Sequence, residues 1–272
     1  MTTGDNSPGE GAGELLRFDT SVAHIARVQD FWLGGKDHFR ADREAGAEAI
    51  EAFPEMVASV RNTRGFLARS VRYLAEEAGI RQFLDIGTGI PAMNNTHEVA
   101  QRIAPESRIV YTDHDPAVLV HARALLTSSP EGRTAYLDAD LRNPTRILRE
   151  AGKTLDFSRP LAVMLVAVLH CIPDQDDPYG IVKHLVEAVP SGSYLVISHP
   201  ANDIRATEMA AMATRLNRLM AQKVTPRSRA DVTRFFAGLD LIEPGIVRAP
   251  EWRPDPGTSG ASTMWSAIAR KP

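Results

Sequence analysis

The stretch FLDIGTGIPA, residues 83–92, decides the fold of this chain. It begins as a short apolar strand, passes through a turn that contains Gly87 and Gly89, and ends at Ala92, where helix-like sequence follows. Small residues at this spacing match the loose pattern G-x-G-x-x-G/A, which allows a tight turn and close approach of a ligand to the backbone. The pattern alone is weak, because glycine-rich turns also follow strands that bind nothing, so the surrounding sequence has to support it.

Short apolar segments alternate with helix-like segments after this turn. The alternation indicates βαβ units and a parallel sheet that is covered by helices on both faces. The last two strand-like segments follow each other without a clear helix between them, which predicts that the last strand is antiparallel. We therefore expect an α/β, Rossmann-like, mostly parallel sheet, with strand segments at 81–87, 108–113, 134–140, 161–170, 193–198, 239–247 and 262–270.

The part of the chain before residue 80 has a different pattern. Residues 1–19 are polar, acidic and rich in glycine, so we expect a disordered tail there. Residues 20–79 contain several segments with helical periodicity and are predicted to form an N-terminal helical cap or lid. The Rossmann-like domain would then occupy residues 80–272.

Composition limits the classes of function. The 272 residues include 31 basic and 34 acidic side chains, a balance that gives no positive field for nucleic acid. No apolar run is long enough to span a membrane. Cys171 is the only cysteine in the sequence, which fits a reducing compartment. We expect a cytoplasmic protein that binds neither nucleic acid nor a membrane, with no metal at its site.

Asp85 distinguishes two classes of nucleotide-binding enzyme. It lies two residues before Gly87, where the pyrophosphate-binding turn of an NAD(P) enzyme has no use for a further anion. S-adenosylmethionine carries an ammonium and a sulfonium instead, and a nearby carboxylate favours both. Pro91 also opposes the NAD(P) interpretation, because it removes an N–H from the helix end that would bind a diphosphate. The alternative is that Asp85 only caps the following turn.

Two further acids follow the next strands. Asp113 lies where a carboxylate would bind ribose hydroxyls, and we include the adjacent His114 in this site. Asp140 ends the third strand segment, where its carboxylate could accept from an adenine amino group while the N–H of Leu141 serves a ring nitrogen; it could also be an ordinary loop residue. Because parallel strands bind ligands at their carboxyl ends, Asp85, Asp113 and Asp140 are predicted to share one site.

These residues give the chain a family resemblance. From residue 21 to 270 it resembles the class I Rossmann-like methyltransferases, and more closely the actinobacterial S-adenosyl methyltransferase family that was formerly a domain of unknown function. The segments that carry the resemblance are GGKD, RYLAEEAGIRQFLDIGTGIP, VLHCIPDQDDP and EWRPD. The resemblance implies a seven-stranded sheet, S-adenosylmethionine over the glycine turn, Asp113 at the ribose and Asp140 at the adenine. It implies no particular methyl acceptor.

Arg64 lies within an apolar stripe of the helical segment that starts at Met56. A buried guanidinium requires a carboxylate partner. We expect this partner to be the α-carboxylate of S-adenosylmethionine, with an acid of the protein as the alternative.

His170 and Cys171 follow the fourth strand segment, at the edge where the donor methyl should point. His170 is a candidate general base toward the acceptor, or a structural histidine. Cys171 is interpreted as a packing residue rather than a nucleophile, since no partner base follows it in a known pattern.

The stretch FWLGGKDHF, residues 31–39, resembles a phosphate-binding loop at first sight. Acids at positions 30 and 37 replace the glycine and hydroxyl that such a loop needs, so this interpretation is rejected. Gly34 and Gly35 can break a helix, and the stretch is predicted to be a lid segment over the donor, with a structural helix–helix turn as the alternative. The aromatic residues that would cover the cleft are Phe31, Trp32 and Phe39.

The loop of residues 249–262 is rich in proline and glycine, and such loops are either mobile or shape a substrate site. Trp252 and Arg253 are the candidates for substrate contact.

The sequence therefore predicts an S-adenosylmethionine-dependent methyltransferase that acts on a small molecule by O- or N-methylation. An NAD(P)-dependent oxidoreductase and a non-catalytic S-adenosylmethionine-binding protein remain as alternatives.

Overall fold

The structure is a computed structural model that describes residues 19–125 and 128–272. Of the tail predicted for residues 1–19, residues 1–18 lie outside the described residues.

A mixed sheet of eight strands forms the centre of the described chain, in the order β3-β2-β1-β4-β5-β8-β6, with β7 also paired to β8. Strands β1 to β5 are parallel, and β8 is antiparallel to β5. The predicted Rossmann-like α/β class is therefore confirmed. The strands are β1 (Gln82–Ile86), β2 (Arg108–Asp113), β3 (Arg133–Asp138), β4 (Ala162–Val166), β5 (Tyr194–Pro200), β6 (Asp240–Leu241), β7 (Val247–Arg248) and β8 (Met264–Arg270).

The described sheet has eight strands rather than the expected seven because the segment 239–247 is split. Pro244 has no N–H to donate, and Gly245 adopts a φ of +82° and donates to the carbonyl of Ile242 at 2.9 Å. This turn separates β6 from β7, yet both pieces pair with β8. The two short strands thus occupy the place of one interrupted strand.

Helices cover both faces of the sheet. One face packs against α6, α7 and α9, and the other against α3 and α4. A capping box of Ser228 and Asp231 begins α9. No helix in the described ranges is both long and apolar enough to cross a membrane. The helices are α1 (Ile25–Leu33), α2 (Arg40–Ala52), α3 (Met56–Glu76), α4 (Thr96–Ile103), α5 (Pro116–Leu125), α6 (Pro144–Ala151), α7 (Pro178–Glu187), α8 (Ala206–Leu219) and α9 (Arg229–Arg234).

The helices within the predicted cap segment 20–79 pack into two apolar clusters. Helix α3 belongs to that segment, but Phe66, Val71 and Leu74 on α3 pack into the core of the sheet. Helix α8, which lies far along the sequence after β5, packs instead with α1 and α2 in a separate apolar cluster. We refer to α1, α2 and α8 together as the cap, because they bury their apolar faces mainly against one another. The domain boundary at residue 79 stays a prediction.

Trp252 and Arg253 do not contact a substrate cleft, in contrast to the expectation from their loop. The Trp252 ring is fully buried in the core on the α3 face, edge-on to Phe66 at 5.6 Å between ring centroids. Its carbonyl accepts from Arg69 Nε at 3.0 Å. Arg253 lies at the surface, where its guanidinium covers the ring of Tyr73 and pairs with a glutamate. Both residues have structural roles, because the three-residue turn at Ala249–Glu251 folds back onto α3.

Replacing Trp252 by alanine should lower the free energy of unfolding by about 3–5 kcal/mol, because it removes a large buried ring. Replacing the adjacent Arg253 by alanine should cost roughly 1 kcal/mol, since its ion pair is exposed. Urea denaturation of both variants measures the difference. Equal losses of stability would contradict this assignment.

Candidate active site

The glycine turn after β1 is held against β2. Gly87 adopts a φ of +74° and Gly89 a φ of +67°, a region that strongly favours glycine. A Cβ on Gly87 would lie 2.2 Å from Cγ2 of Val168, so the space also requires glycine there. The N–H of Gly87 donates to the carbonyl of Thr112 at 2.8 Å, which fixes the turn at the carboxyl edge of the sheet.

Asp113 is anchored at the end of β2 by backbone donors. One carboxylate oxygen accepts from the N–H of Gly89 at 2.9 Å, and the other from the N–H groups of His114 and Asp115 at 2.8 and 3.0 Å. The side chain is largely buried but lines a cavity. Each carboxylate oxygen can accept more than one hydrogen bond, so Asp113 fits a ligand that presents hydroxyl groups, such as a ribose.

Asp85 is the buried acid on β1, beside the glycine turn. Its carboxylate accepts from the Thr96 hydroxyl, at the start of α4, at 2.6 Å. Burial raises the pKa of Asp85 to about 6, while the Thr96 hydrogen bond and the charge of Arg64 oppose the increase. A carboxylate that burial destabilises in this way favours a cationic ligand.

Arg64 lines the same cavity as Asp85. Its Nη2 donates to the Met93 carbonyl at 2.9 Å and to Asn95 Oδ1 at 3.4 Å, whereas its buried Nε has no hydrogen-bond partner within the described chain. Burial lowers the pKa of the guanidinium, and Asp85 counteracts this effect. Among the described residues Asp85 is the acid whose charge favours the guanidinium most, so the ligand carboxylate and the protein acid both stay predictions as its partner. The orphaned Nε fits a ligand carboxylate.

Two adjoining cavities open at this edge of the sheet. The larger lies between α1, α3, α8 and the sheet, and the smaller lies beside Asp113 and His114. Ile25, Gln29, Gly87 and Ala167 line both, so the two form one cleft over the glycine turn. The side chains of the larger cavity are mostly apolar, and its charged lining residues are Arg64 and Asp85.

His170 lies in a short turn after β4 and lines the larger cavity. Its Nδ1 is buried without a hydrogen-bond partner in the described structure. Burial lowers the pKa of the imidazole to about 4, and the positive charge of Arg227 adds to this effect. His170 is therefore neutral near pH 7. Burial also raises the pKa of the neighbouring Cys171 thiol to about 12, which agrees with a packing role.

Asp140 and Leu141 line neither cavity. Strand β3 ends at Asp138, and the Asp140 carboxylate pairs with the Arg142 guanidinium at 2.9 Å. Leu141 is buried in the core on the other side. The adenine contact of these two residues stays a prediction.

The stretch FWLGGKDHF forms the turn from α1 to α2. Gly34 ends α1 in the left-handed conformation, and a Cβ on Gly35 would lie 1.9 Å from Oδ1 of Asp30. Trp32 lines the larger cavity and donates its Nε1–H to the Gly46 carbonyl at 3.0 Å. Phe39 does not line the cleft as expected, because it precedes α2 with its ring partly exposed beside Arg27. Within this stretch, Trp32 alone lines the larger cavity.

Several site residues were not found from the sequence. Arg227 is buried and donates to the carbonyls of Leu169 and Ile172, which fixes the turn that carries His170. His24, at the start of α1, pairs with Asp115 at 2.8 Å and so attaches the cap to the loop after Asp113. These contacts join segments far apart in sequence, and no local pattern indicates them. Asn95 and Glu98 form a capping box at α4 that the spacing could have predicted.

Comparison with known proteins agrees with the geometry of the cleft. The model of the S-adenosyl methyltransferase family matches residues 12–272. The chain belongs to the S-adenosyl methyltransferase family. The methyltransferase is an enzyme that depends on S-adenosylmethionine, as the sequence predicts, so the NAD(P) oxidoreductase and non-catalytic alternatives are set aside. No curated protein matches it.

Solved structures support the family assignment. A DUF574 family protein from Streptomyces avermitilis is 46% identical with a TM-score of 0.91, over 94% of the methyltransferase and 100% of that protein. A candidate methyltransferase from Thermobifida fusca is 38% identical with a TM-score of 0.86, over 93% and 96% of the two chains. An O-methyltransferase family protein from Burkholderia thailandensis, at 16% identity and a TM-score of 0.51 over 85% and 61%, shares the fold.

Replacing Asp85 by asparagine should stabilise the ligand-free methyltransferase and weaken donor binding. The folded-state pKa of Asp85 lies above the unfolded value of 3.8, so the folded protein retains this proton longer. The stability that this group contributes is complete below the unfolded pKa and is lost as the pH rises to about 6. At neutral pH the variant should therefore gain roughly 1–3 kcal/mol in the free energy of unfolding. Its affinity for S-adenosylmethionine should fall roughly 10- to 100-fold.

Asp138→Asn is the matched control, because it changes an exposed acid at the end of another strand. In the wild type, donor affinity measured by titration calorimetry should fall about tenfold between pH 7.5 and pH 5, as Asp85 takes up a proton. The Asp85→Asn variant should show no such dependence. Unchanged donor affinity in Asp85→Asn would contradict the assignment of this carboxylate.

Proposed function

We propose that this methyltransferase transfers the donor methyl group to a small molecule held in the larger cavity. The observation that carries the proposal is the position of this cavity, which shares Gly87 with the smaller cavity beside Asp113 and extends under α1 and α8. Its lining is mainly apolar with a few polar and charged groups, which is typical of small-molecule sites. A cleft that is closed by a helical cap does not suit a folded macromolecule as acceptor.

The donor would bind across the two cavities. Asp85 would bind the α-amino group, and Arg64 the α-carboxylate, through its orphaned Nε. Asp113 would bind the ribose hydroxyls, with His114 beside them in the smaller cavity. Asp140 and the N–H of Leu141 would serve the adenine, although Asp140 is paired with Arg142 in the ligand-free chain and would have to share this partner.

S-adenosylmethionine supplies a methyl group on a positively charged sulfur when it is bound. The chain would contribute mainly by orienting donor and acceptor and by excluding water, since alignment alone provides a large part of the acceleration in such transfers. His170 is in position to contact an acceptor in the larger cavity, and its neutral imidazole would accept a hydrogen bond from it.

Helix α1 is the part of the cap that would act as a lid. Ile25, Gln29 and Trp32 lie on one face of α1 at helical spacing and line the larger cavity. The turn at Gly34 and Gly35 follows this helix and provides a place where its orientation could change.

Replacing Trp32 by alanine should open the roof of the cavity and accelerate the dissociation of S-adenosylhomocysteine, roughly tenfold, because a buried ring of the lid is lost. Phe39→Ala is the matched control and should leave dissociation unchanged, since Phe39 is 37% exposed. Stopped-flow displacement measures both rates. Unchanged dissociation and turnover in Trp32→Ala would contradict the lid.

The acceptor class is tested by transfer of labelled methyl from S-adenosylmethionine into a Streptomyces avermitilis cell extract. The extract is first separated into small molecules, protein and nucleic acid. We expect label in the small-molecule fraction only, with no incorporation by Asp85→Asn. Label in the protein or nucleic-acid fraction would contradict the proposal. In parallel, thermal unfolding should shift with S-adenosylmethionine and S-adenosylhomocysteine but not with NAD.

A further inference from the structure

The larger cavity has an uneven distribution of charge. Arg64 and Asp85 are the charged side chains that line it, and they lie together at the glycine turn, where the proposed function assigns both to the donor. The rest of the lining comes from α1, α3, α8, the end of β4 with the turn that follows it, and the segments after β5. Its large buried side chains include Trp32, Met56, Met209, Met212, Leu216 and Met264.

Most of the small polar groups in this region are already bonded to one another. Ser59 Oγ contacts Thr263 Oγ1 at 3.4 Å and accepts from the N–H of Thr263 at 3.2 Å. The Thr63 hydroxyl donates to the carbonyl of Ser59 at 3.0 Å. His170 is different, because its Nδ1 has no partner in the part of the chain that is described. The larger cavity therefore offers a mainly apolar lining, the unpartnered imidazole of His170 and, where it joins the smaller cavity, the amide of Gln29.

A charged acceptor does not suit this enclosure. Moving an ion from water into an apolar cavity is unfavourable unless an opposite charge meets it. No charged side chain of the described residues lines the acceptor end, and Arg227 behind His170 is already paired with Asp174. Four methionines with flexible, polarizable side chains suit a neutral apolar body and can adapt to its shape. A flat aromatic ring would gain contact with their sulfur atoms.

We propose that the methyl acceptor is a neutral, mainly apolar aromatic molecule whose nucleophile is a hydroxyl group that donates a hydrogen bond to His170. This inference rests on the proposed function and specifies its substrate class.

The proton balance of the transfer is consistent with a neutral histidine. The acceptor oxygen forms its bond to the methyl carbon with a lone pair, as the bond between that carbon and the donor sulfur breaks and its electrons remain on sulfur. The positive charge passes to the oxygen, which makes the hydroxyl proton strongly acidic. His170 accepts this proton, although it is a weak base, and releases it to water when the product leaves.

Naphthalene derivatives provide probes that differ in charge and in one functional group. Titration calorimetry in the presence of saturating S-adenosylhomocysteine measures the binding of four probes: naphthol, naphthalene, naphthoate and protonated naphthylmethylamine. We expect naphthol to bind at least about tenfold more tightly than either charged probe. Methyl transfer from S-adenosylmethionine should occur to naphthol and not to the neutral amine naphthylamine. Tighter binding of a charged probe, methylation of naphthylamine in preference to naphthol, or no binding of any probe would overturn the inference.

His170→Phe tests the hydroxyl contact with the ring shape retained. The preference for naphthol over naphthalene, about tenfold in the wild type, should fall to near unity in the variant. In His170→Gln, binding of naphthol should persist, whereas turnover should fall roughly 100-fold or more because the proton acceptor is lost. An unchanged preference in His170→Phe would contradict the contact.

Met212→Glu tests the charge argument, with Met212→Gln as the matched control. The introduced carboxylate should improve binding of naphthylmethylamine at least about tenfold relative to Met212→Gln. Equal binding of naphthylmethylamine by the two variants would contradict the view that ions are excluded because the site lacks an opposite charge.

Affinity for S-adenosylhomocysteine separates failure of this inference from failure of the proposed function. If the wild type binds S-adenosylhomocysteine but prefers a charged acceptor, only the acceptor class is wrong. If it does not bind S-adenosylhomocysteine, the donor site and everything that rests on it are wrong.

Discussion

The hydrogen bond from the N–H of Gly89 to the Asp113 carboxylate, at 2.9 Å, holds the site together. It joins the turn after β1 to the end of β2, and together with the N–H groups of His114 and Asp115 it orients the carboxylate. The turn must be made of glycine here, because its backbone has positive φ and Val168 leaves no room for a side chain at Gly87. The glycine turn and the carboxyl ends of the parallel strands thereby form the floor of the cleft.

Above this floor, the structure keeps two ionisable groups in an unfavourable environment. Burial raises the pKa of Asp85 and lowers that of Arg64, so each charge is destabilised in the ligand-free protein. A ligand that carries both an ammonium and a carboxylate would supply an opposite charge to each of these two side chains. Its binding would therefore offset part of the free energy that burial of the two charges costs. The cap completes the arrangement, because α1 covers the cleft while His24 attaches it to Asp115 beside the ribose acid.

The sequence predicted what depends on local pattern. The alternation of apolar segments predicts the parallel sheet. Asp85 and Asp113, at the carboxyl ends of β1 and β2, line the same cleft because the strand ends of a parallel sheet meet at one edge. The sequence did not predict the features that depend on packing between distant segments. Trp252 is in a proline-rich loop by sequence, yet Arg69 on α3 fixes this loop into the core. Helix α8 packs with α1 and α2 in the cap. Arg227 donates to the turn that carries His170. Both contacts join segments far apart in sequence, so no local sequence pattern predicts them.

A crystal structure of the complex with S-adenosylhomocysteine would show whether the cleft binds the donor as we propose. We expect the ligand amino group within hydrogen-bond distance of Asp85, its carboxylate at Arg64 Nε, and its ribose hydroxyls at Asp113, with the sulfur facing the apolar part of the larger cavity. A ligand that binds over the glycine turn but leaves Asp85 and Arg64 without contact, or that binds elsewhere, would contradict it.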